Sequence, residues 1–466
     1  MGKTKMLLGA ALSASQSEGA YDEDGKGLSI SDTVPAGRRD LTRRYPKPDG
    51  KHYYPTHQAV DFYHRYQEDI DLMAECGLEC LRFSFAWSRF FPQGEEMQPN
   101  PLAVKHYDDL IDKLLAEKIV PIVTMSHLEI PQALAEKYGG WENKEFIRCF
   151  LRYSQFLLEH YGDRVKYWIT FNEMNMLLYF PCTLAVGVDL TDKPEEAKAQ
   201  ALHNMLYANA QTIAAAHAIG KGIQIGAMIA YSPIYPVDCR PENIMLAYDL
   251  ERNALSIADV LVRGKYPGTY ERKIDEQALQ LERTQAELDT LAQNPVDFLA
   301  TSYYCSNAAS IEATAEKSAG NLFGGARNPF LKTSEWGWQI DPTGLRYALN
   351  LFDRRYQLPI LITENGIGLE EKLSGIEPIE DDQRIAYLKA HLQALKQALI
   401  EDQVHCIGYC LWSCFDVISA TTGEMRKRYG LIYVDQDDEG KGTLRRCPKK
   451  SAQWYAQIIK ENGKNL

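Results

Sequence analysis

Apolar runs of five to seven residues, several of them rich in β-branched or aromatic side chains, recur at 6–11, 79–85, 119–125, 165–171, 223–227, 298–303, 358–363 and 406–412. Between them the apolar positions shift to the three-to-four spacing of amphipathic helices, at 63–76, 103–117, 144–160, 195–219, 243–262, 343–355 and 382–401. Short runs that are apolar on both faces suit strands covered on both sides, as in a parallel sheet. Eight of them alternating with helices predict an α/β fold closed as a (β/α)8 TIM barrel. An open doubly wound sheet would normally carry a glycine-rich phosphate turn after its first strand. Gly25-Lys26-Gly27 follows no predicted strand and opens no helix.

The excess length lies at 16–58, 172–194, 231–240, 305–340 and 413–448. Each stretch follows a strand, on the barrel face where such enzymes carry their chemistry. There is no internal repeat, low-complexity tract or Pro/Ser linker, so the expectation is one domain over 1–466.

Two strings stand out at strand ends, Thr170-Phe171-Asn172-Glu173 and Thr363-Glu364-Asn365-Gly366. A lone glutamate behind a strand is usually a solvated turn residue. Two of them on one barrel face are expected to share a cavity. Glycoside cleavage with retention needs such a pair, one carboxyl to give and take a proton and one to attack the sugar carbon. The other strand ends deliver Gln16, Arg82, His127, Asn172, Tyr304 and Trp412 to the same face. Taken singly, Arg82 could be a buried ion pair, His127 a satisfied core histidine and Trp412 a core residue; their convergence argues for a site.

Composition narrows the partners. A net charge of −12 is unsuited to the phosphate backbone of nucleic acid, while a small anionic substrate remains open, since a local basic pocket decides that. No apolar run approaches the roughly 20 residues of a membrane helix. The ten cysteines form no CxxC pair, and Cys406, Cys410 and Cys414 fall on a strand and its following loop, where core packing is the better reading than metal binding. Unpaired thiols suit a reducing compartment. The stretch 6–14 mimics a short signal sequence but runs straight into Gln16-Ser17-Glu18-Gly19, so it is read as the first strand and the protein is expected in the cytoplasm. Barrels of this kind are often homo-oligomers, and no interface is legible.

Along its whole length the sequence resembles glycoside hydrolase family 1. The resemblance rests on Gln16-Ser17-Glu18-Gly19, Arg82-Phe83-Ser84-Phe85-Ala86-Trp87-Ser88-Arg89 with Pro92, His127-Leu128-Glu129-Ile130-Pro131, the two glutamate strings, Asp297-Phe298 through Tyr303-Tyr304, and Leu411-Trp412-Ser413 with Asp416. It implies Glu173 as acid/base and Glu364 as nucleophile, with no metal and no cofactor. Arg82 and Tyr304 are then expected to keep Glu364 ionised, and Asn172 to bond the sugar 2-hydroxyl. Gln16 and His127 are expected to bind the 3- and 4-side hydroxyls, with Trp412 as the floor under the ring. Trp338 is assigned to the leaving-group subsite, with core packing as its alternative. Two positions depart from many family members, which carry Phe or Trp in place of Leu128 and Asn in place of Ser302.

The segment after Trp412 points to a phosphorylated sugar. Family members acting on plain glucosides usually place a glutamate where Ser419 stands, and that carboxylate would repel a 6-phosphate. Ser419, Lys427 and Tyr429 supply a hydroxyl, a cation and a phenol, enough to hold one phosphate, and they match the 6-phospho-β-glycosidase branch. Ala420 resembles the gluco rather than the galacto subgroup. Arg426–Arg428 taken alone would be a solvated charge run, and Arg445, Arg446, Lys449 and Lys450 are read as a solvated surface before the final helix. The expected activity is hydrolysis of 6-phospho-β-D-glucosides to glucose 6-phosphate and an alcohol or sugar. A 6-phospho-β-galactosidase, an ordinary β-glucosidase and a non-catalytic phospho-sugar binding protein remain as alternatives.

Overall fold

A computed structural model describes residues 6–37, 47–179, 194–318, 324–373 and 378–463. Residues 38–46, 180–193 and 319–323 of the expected loops, and with them Cys182, lie outside the described residues. Eight parallel strands close into a barrel: β1 (Leu7–Ala11), β2 (Cys80–Ser84), β3 (Val120–Ser126), β4 (Tyr167–Phe171), β5 (Gln224–Ala230), β6 (Phe298–Ser302), β7 (Ile360–Glu364) and β8 (Cys406–Trp412). Each strand pairs with its neighbours in chain order, and β1 completes the ring by pairing with both β2 and β8. The outer layer is α1 (Phe62–Glu75), α2 (Pro101–Ala116), α3 (Glu145–Tyr161), α4 (Glu195–Ile219), α5 (Ser256–Arg263), α6 (Pro342–Tyr356), α7 (Asp382–Ile400) and α8 (Lys450–Lys460).

The two-residue alternation of a strand sorts side chains into two cores. On β2, Leu81 and Phe83 join the shell under the helices, while Cys80 faces the barrel axis. On β8, Tyr409 and Leu411 point outward, and Cys410 and Trp412 inward. Ala11, Ile122, Ile169, Met228, Phe298, Ala300 and Leu361 complete the inner core, which is packed rather than a pore. Gly226 is required here, because a Cβ would lie 2.2 Å from the Phe298 ring. The same alternation sends Arg82, two residues beyond Cys80, inward at the top of the barrel.

Helix starts are set by local chemistry. Asn100 accepts the Leu102 N–H ahead of Pro101, and Asp341 accepts the Gly344 N–H ahead of Pro342. The helix expected at 243–262 is instead two, Pro241–Ala254 and α5, with the break at Leu255. There the Ser256 hydroxyl donates to the Asn253 carbonyl at 2.8 Å, a local bond that competes with the helical ladder. A further helix at Gln285–Gln293 begins on a Thr284/Glu287 capping box that the sequence reading passed over.

The expected solvated surface at 445–450 is corrected in part. Arg445 is exposed, but Arg446 is buried and grips Asp69 through two bonds of 2.8 Å. Lys449 is fully buried against Asp416 at 2.8 Å. The strand Arg446–Pro448 pairs with Ile432–Val434 and turns these cations inward, where carboxylates neutralise them. Among the described residues no helix is long and apolar enough to cross a membrane. The nine described cysteines form no disulfide with one another, and all but Cys239 are buried.

Candidate active site

A pocket of about 240 Å³ opens at the carboxyl ends of the barrel strands. Gln16, His127, Asn172, Glu173, Tyr304, Trp338, Glu364, Trp412, Ser419, Lys427 and Tyr429 all line it. Arg82, the twelfth residue singled out from sequence, lies fully buried beneath them. Residues spread over 400 positions of chain meet because each sits at a strand end or in the loop that follows.

Glu364 is the last residue of β7 and is 5% exposed. Arg82 Nη1 donates to its Oε1 at 2.6 Å, and the Tyr304 hydroxyl donates to its Oε2 at 2.7 Å. Arg82 is itself held by Thr124 Oγ1 at 2.8 Å and by Asn172 Oδ1 at 2.6 Å, so one guanidinium fixes both the carboxylate and Asn172. Burial pushes the Glu364 carboxyl up, against the charge of Arg82 and the Tyr304 hydrogen bond. Both of its oxygens are thereby occupied by donors suited to the ionised form.

Glu173 follows β4 in a left-handed conformation, φ 44° and ψ 50°, which costs a non-glycine residue on the order of 1 kcal/mol. The turn directs its side chain into the pocket. Burial, and next the charge of Glu364, raise its pKa to about 7, opposed by a hydrogen bond from Ser302 and by Arg82. The two carboxyls thus differ in environment. Glu364 has a cation and a phenol, Glu173 a single hydroxyl, so Glu364 ionises first and Glu173 keeps its proton toward neutral pH.

At the next wall, His127 is buried, and desolvation together with Arg82 holds its imidazole neutral by lowering its pKa well below the ordinary value. Its ring lies 5.9 Å from that of Trp412. Gln16 Nε2 donates to the Ile418 carbonyl at 2.7 Å, and its Oε1 accepts from Ser13 at 2.8 Å. Gln16 therefore anchors the backbone next to Ser419 as well as lining the pocket.

The basic run at 426–428 divides. Arg426 is exposed and bonds Glu424 at 2.7 Å. Arg428 is buried, with its guanidinium on Asp416 at 3.1 Å and on the carbonyls of Val434 and Gln436. Lys427 alone enters the pocket, with its ammonium 4.3 Å from the Trp338 ring centre, 5.4 Å from Trp336 and 5.6 Å from Tyr429. Trp338 also packs edge-on against Tyr304 at 5.3 Å. A Cβ on Gly368 would stand 2.8 Å from Lys427 and 3.2 Å from Tyr429, so that position has no room for a side chain. Arg384, on α7, fixes the segment from behind by donating to the carbonyls of Ile367 and Tyr429, both at 2.8 Å.

Sequence reading took Ser302 as a departure from the common Asn that resembles the phospho-sugar branch, gave it no role at the acid/base, and missed Arg384. Ser302 donates to Glu173 Oε1, and it stands opposite Glu364 because the β6–β7 pairing steps from Thr301–Ile362 to Ser302–Glu364. The only sequence signal for this was serine in a family position that is commonly Asn.

The family model for glycosyl hydrolase family 1 matches residues 3–464. The chain is 45% identical over 465 residues to an aryl-phospho-beta-D-glucosidase, BglH, of Bacillus subtilis, covering 99% of this chain and 97% of that one. It is 41% identical to the 6-phospho-beta-glucosidase AscB of Escherichia coli over 99% of this chain and 98% of that protein. Among solved structures, the beta-glucosidase from Thermotoga maritima in complex with glucoimidazole superposes with a TM-score of 0.85 at 29% identity, covering 99% of this chain and 100% of that one. With its barrel, its paired glutamates and matches of this extent, the chain belongs to glycosyl hydrolase family 1.

Proposed function

We propose that the protein hydrolyses 6-phospho-β-D-glucosides with retention of configuration, releasing glucose 6-phosphate and an alcohol or sugar, and that the whole chain forms one catalytic domain. The observation that carries this reading is one pocket holding the Glu173/Glu364 pair together with Ser419, Lys427 and Tyr429. Relatives that are 41–45% identical over nearly the full length carry phospho-glucosidase activity in their names, which supports it.

Glu364, held ionised by Arg82 and Tyr304, attacks C1 of the sugar. The C1–O bond to the leaving group breaks as Glu173 passes its proton to that oxygen. Esterification removes the charge of Glu364, so Glu173 is more easily ionised and draws a proton from the incoming water. Water oxygen bonds C1, the ester C1–O bond breaks, and both carboxyls return to their starting states. Asn172, oriented by Arg82, bonds the 2-hydroxyl, while Gln16 and His127 take the hydroxyls on the far side and Trp412 supports the ring. Lys427 supplies the charge for the phosphate, with the Ser419 and Tyr429 hydroxyls as further donors. Trp338 borders the leaving group and backs Lys427. Buried cysteines that form no disulfide with one another among the described residues fit a reducing cytoplasm.

Proton NMR of p-nitrophenyl β-D-glucoside 6-phosphate turnover tests the reading. The β-anomer of glucose 6-phosphate should appear first and then mutarotate; α-anomer appearing first, or no turnover, contradicts it.

A further inference from the structure

Ser302 lies at the end of β6, 2% exposed, directly beside Glu364 in the strand pairing and bonded through its hydroxyl to Oε1 of Glu173. It thus touches the acid/base carboxyl from the strand position paired with the nucleophile, without carrying charge or reacting itself. We propose that Ser302 is a positioning residue for the proton transfers, holding Oε1 of Glu173 so that Oε2 carries the proton toward the leaving oxygen. The inference rests on Glu173 being the acid/base.

The hydroxyl suits both halves of the reaction because it donates to a carboxyl oxygen in either protonation state. In the first step Oε1 is the carbonyl oxygen of the acid, held in place while Oε2–H moves to the departing alkoxide. After transfer the same bond stabilises the new carboxylate, ready to accept a proton from water. The left-handed backbone at Glu173 fixes where the side chain starts, and Ser302 fixes its far end. Among the described residues the other ionisable groups that act on Glu173 are Glu364, Arg82 and Tyr304, and none of them donates to its Oε1. Burial and Glu364 push the Glu173 pKa up and the Ser302 bond opposes them, so its loss should raise that pKa further.

The test is the pH profile of kcat/KM for Ser302→Ala and Ser302→Cys, with Ser302→Thr as the hydroxyl-retaining control, on methyl and p-nitrophenyl β-D-glucoside 6-phosphates. The cysteine variant keeps the shape of serine with a weak donor, which separates a lost bond from a lost fold. Both Ala and Cys should move the alkaline limb up by half a pH unit or more and lower kcat on the methyl glycoside about tenfold. KM should change little, and Thr should stay near wild type. An alkaline limb at the wild-type position in the Ala or Cys protein overturns the inference, even if rates fall. Glu173→Gln run in parallel separates the two readings. If it fails to spare the p-nitrophenyl substrate relative to the methyl one, the acid/base assignment fails. If it spares that substrate and the Ser302 limb stays put, the Ser302 inference alone fails.

Discussion

Arg82 and Glu364 are 282 residues apart in sequence, yet the guanidinium meets the carboxylate at 2.6 Å beneath the pocket. Arg82 makes this contact while also bonding Thr124 and Asn172. Replacement by Met leaves Glu364 buried without its cation, and removing one partner of a buried pair costs about 3–5 kcal/mol. Arg82→Met should therefore lower kcat/KM by about 100–1000-fold, lower the melting temperature, and move the acidic limb of the pH profile upward. Arg82→Lys should act in the same direction, because an ammonium cannot reproduce the planar fork. Steady-state kinetics across pH, with calorimetric melts, check both.

The raised pKa of Glu173 also bears on stability. A carboxyl whose folded pKa exceeds its unfolded value favours the folded state when protonated. For Glu173 that contribution is complete below about pH 4.5 and is lost as pH rises through about 7. A shift of this size corresponds to on the order of 3 kcal/mol. Glu173→Gln is neutral at every pH, so it should melt near the wild-type temperature at pH 4.5 and a few degrees above it at pH 8.5. Equal melting temperatures at pH 8.5 would show that Glu173 is not held protonated by burial.

Lys427 and Ser419 should matter only when the sugar carries a phosphate. Lys427→Met removes the pocket's charge-assisted donor, a loss of about 10–100-fold in kcat/KM on the 6-phosphoglucoside. Activity on the unphosphorylated glucoside should hold or rise. Ser419→Glu should lower the first activity and raise the second. Parallel assays on the two substrates read this directly.

Trp338 backs the ammonium of Lys427 at 4.3 Å and the edge of Tyr304 at 5.3 Å. A cation–π contact contributes about 0.5–2 kcal/mol, so Trp338→Ala should raise KM for 6-phosphoglucosides about 2–30-fold. The effect should be smaller on plain glucosides. Equal losses on both would assign Trp338 to the leaving group alone.

The barrel was legible because strands buried on both faces read as apolar runs, against which a polar residue at a strand end stands out. That contrast exposed Arg82, Asn172, Glu173 and Glu364 before any coordinates. The step from Thr301–Ile362 to Ser302–Glu364 was not legible, because register between strands 60 residues apart leaves no mark in either one. Lys449 and Arg446 were misread since a run of cations looks solvated until the partners that bury it, Asp416 and Asp69, are brought in from distant segments. The break at Leu255 was hidden by helical spacing that continues on both sides. Likewise, only the loop conformation reveals that Trp336 and Trp338 surround Lys427.

The most direct measurement is kcat/KM for p-nitrophenyl β-D-glucoside 6-phosphate, β-D-galactoside 6-phosphate and unphosphorylated β-D-glucoside, side by side. The pocket residues Ser419, Lys427 and Tyr429, with the resemblance of Ala420 to the gluco subgroup, predict a large preference for the glucoside 6-phosphate over both. Equal or better turnover of the unphosphorylated glucoside would contradict the phosphate pocket and leave only the two-glutamate mechanism.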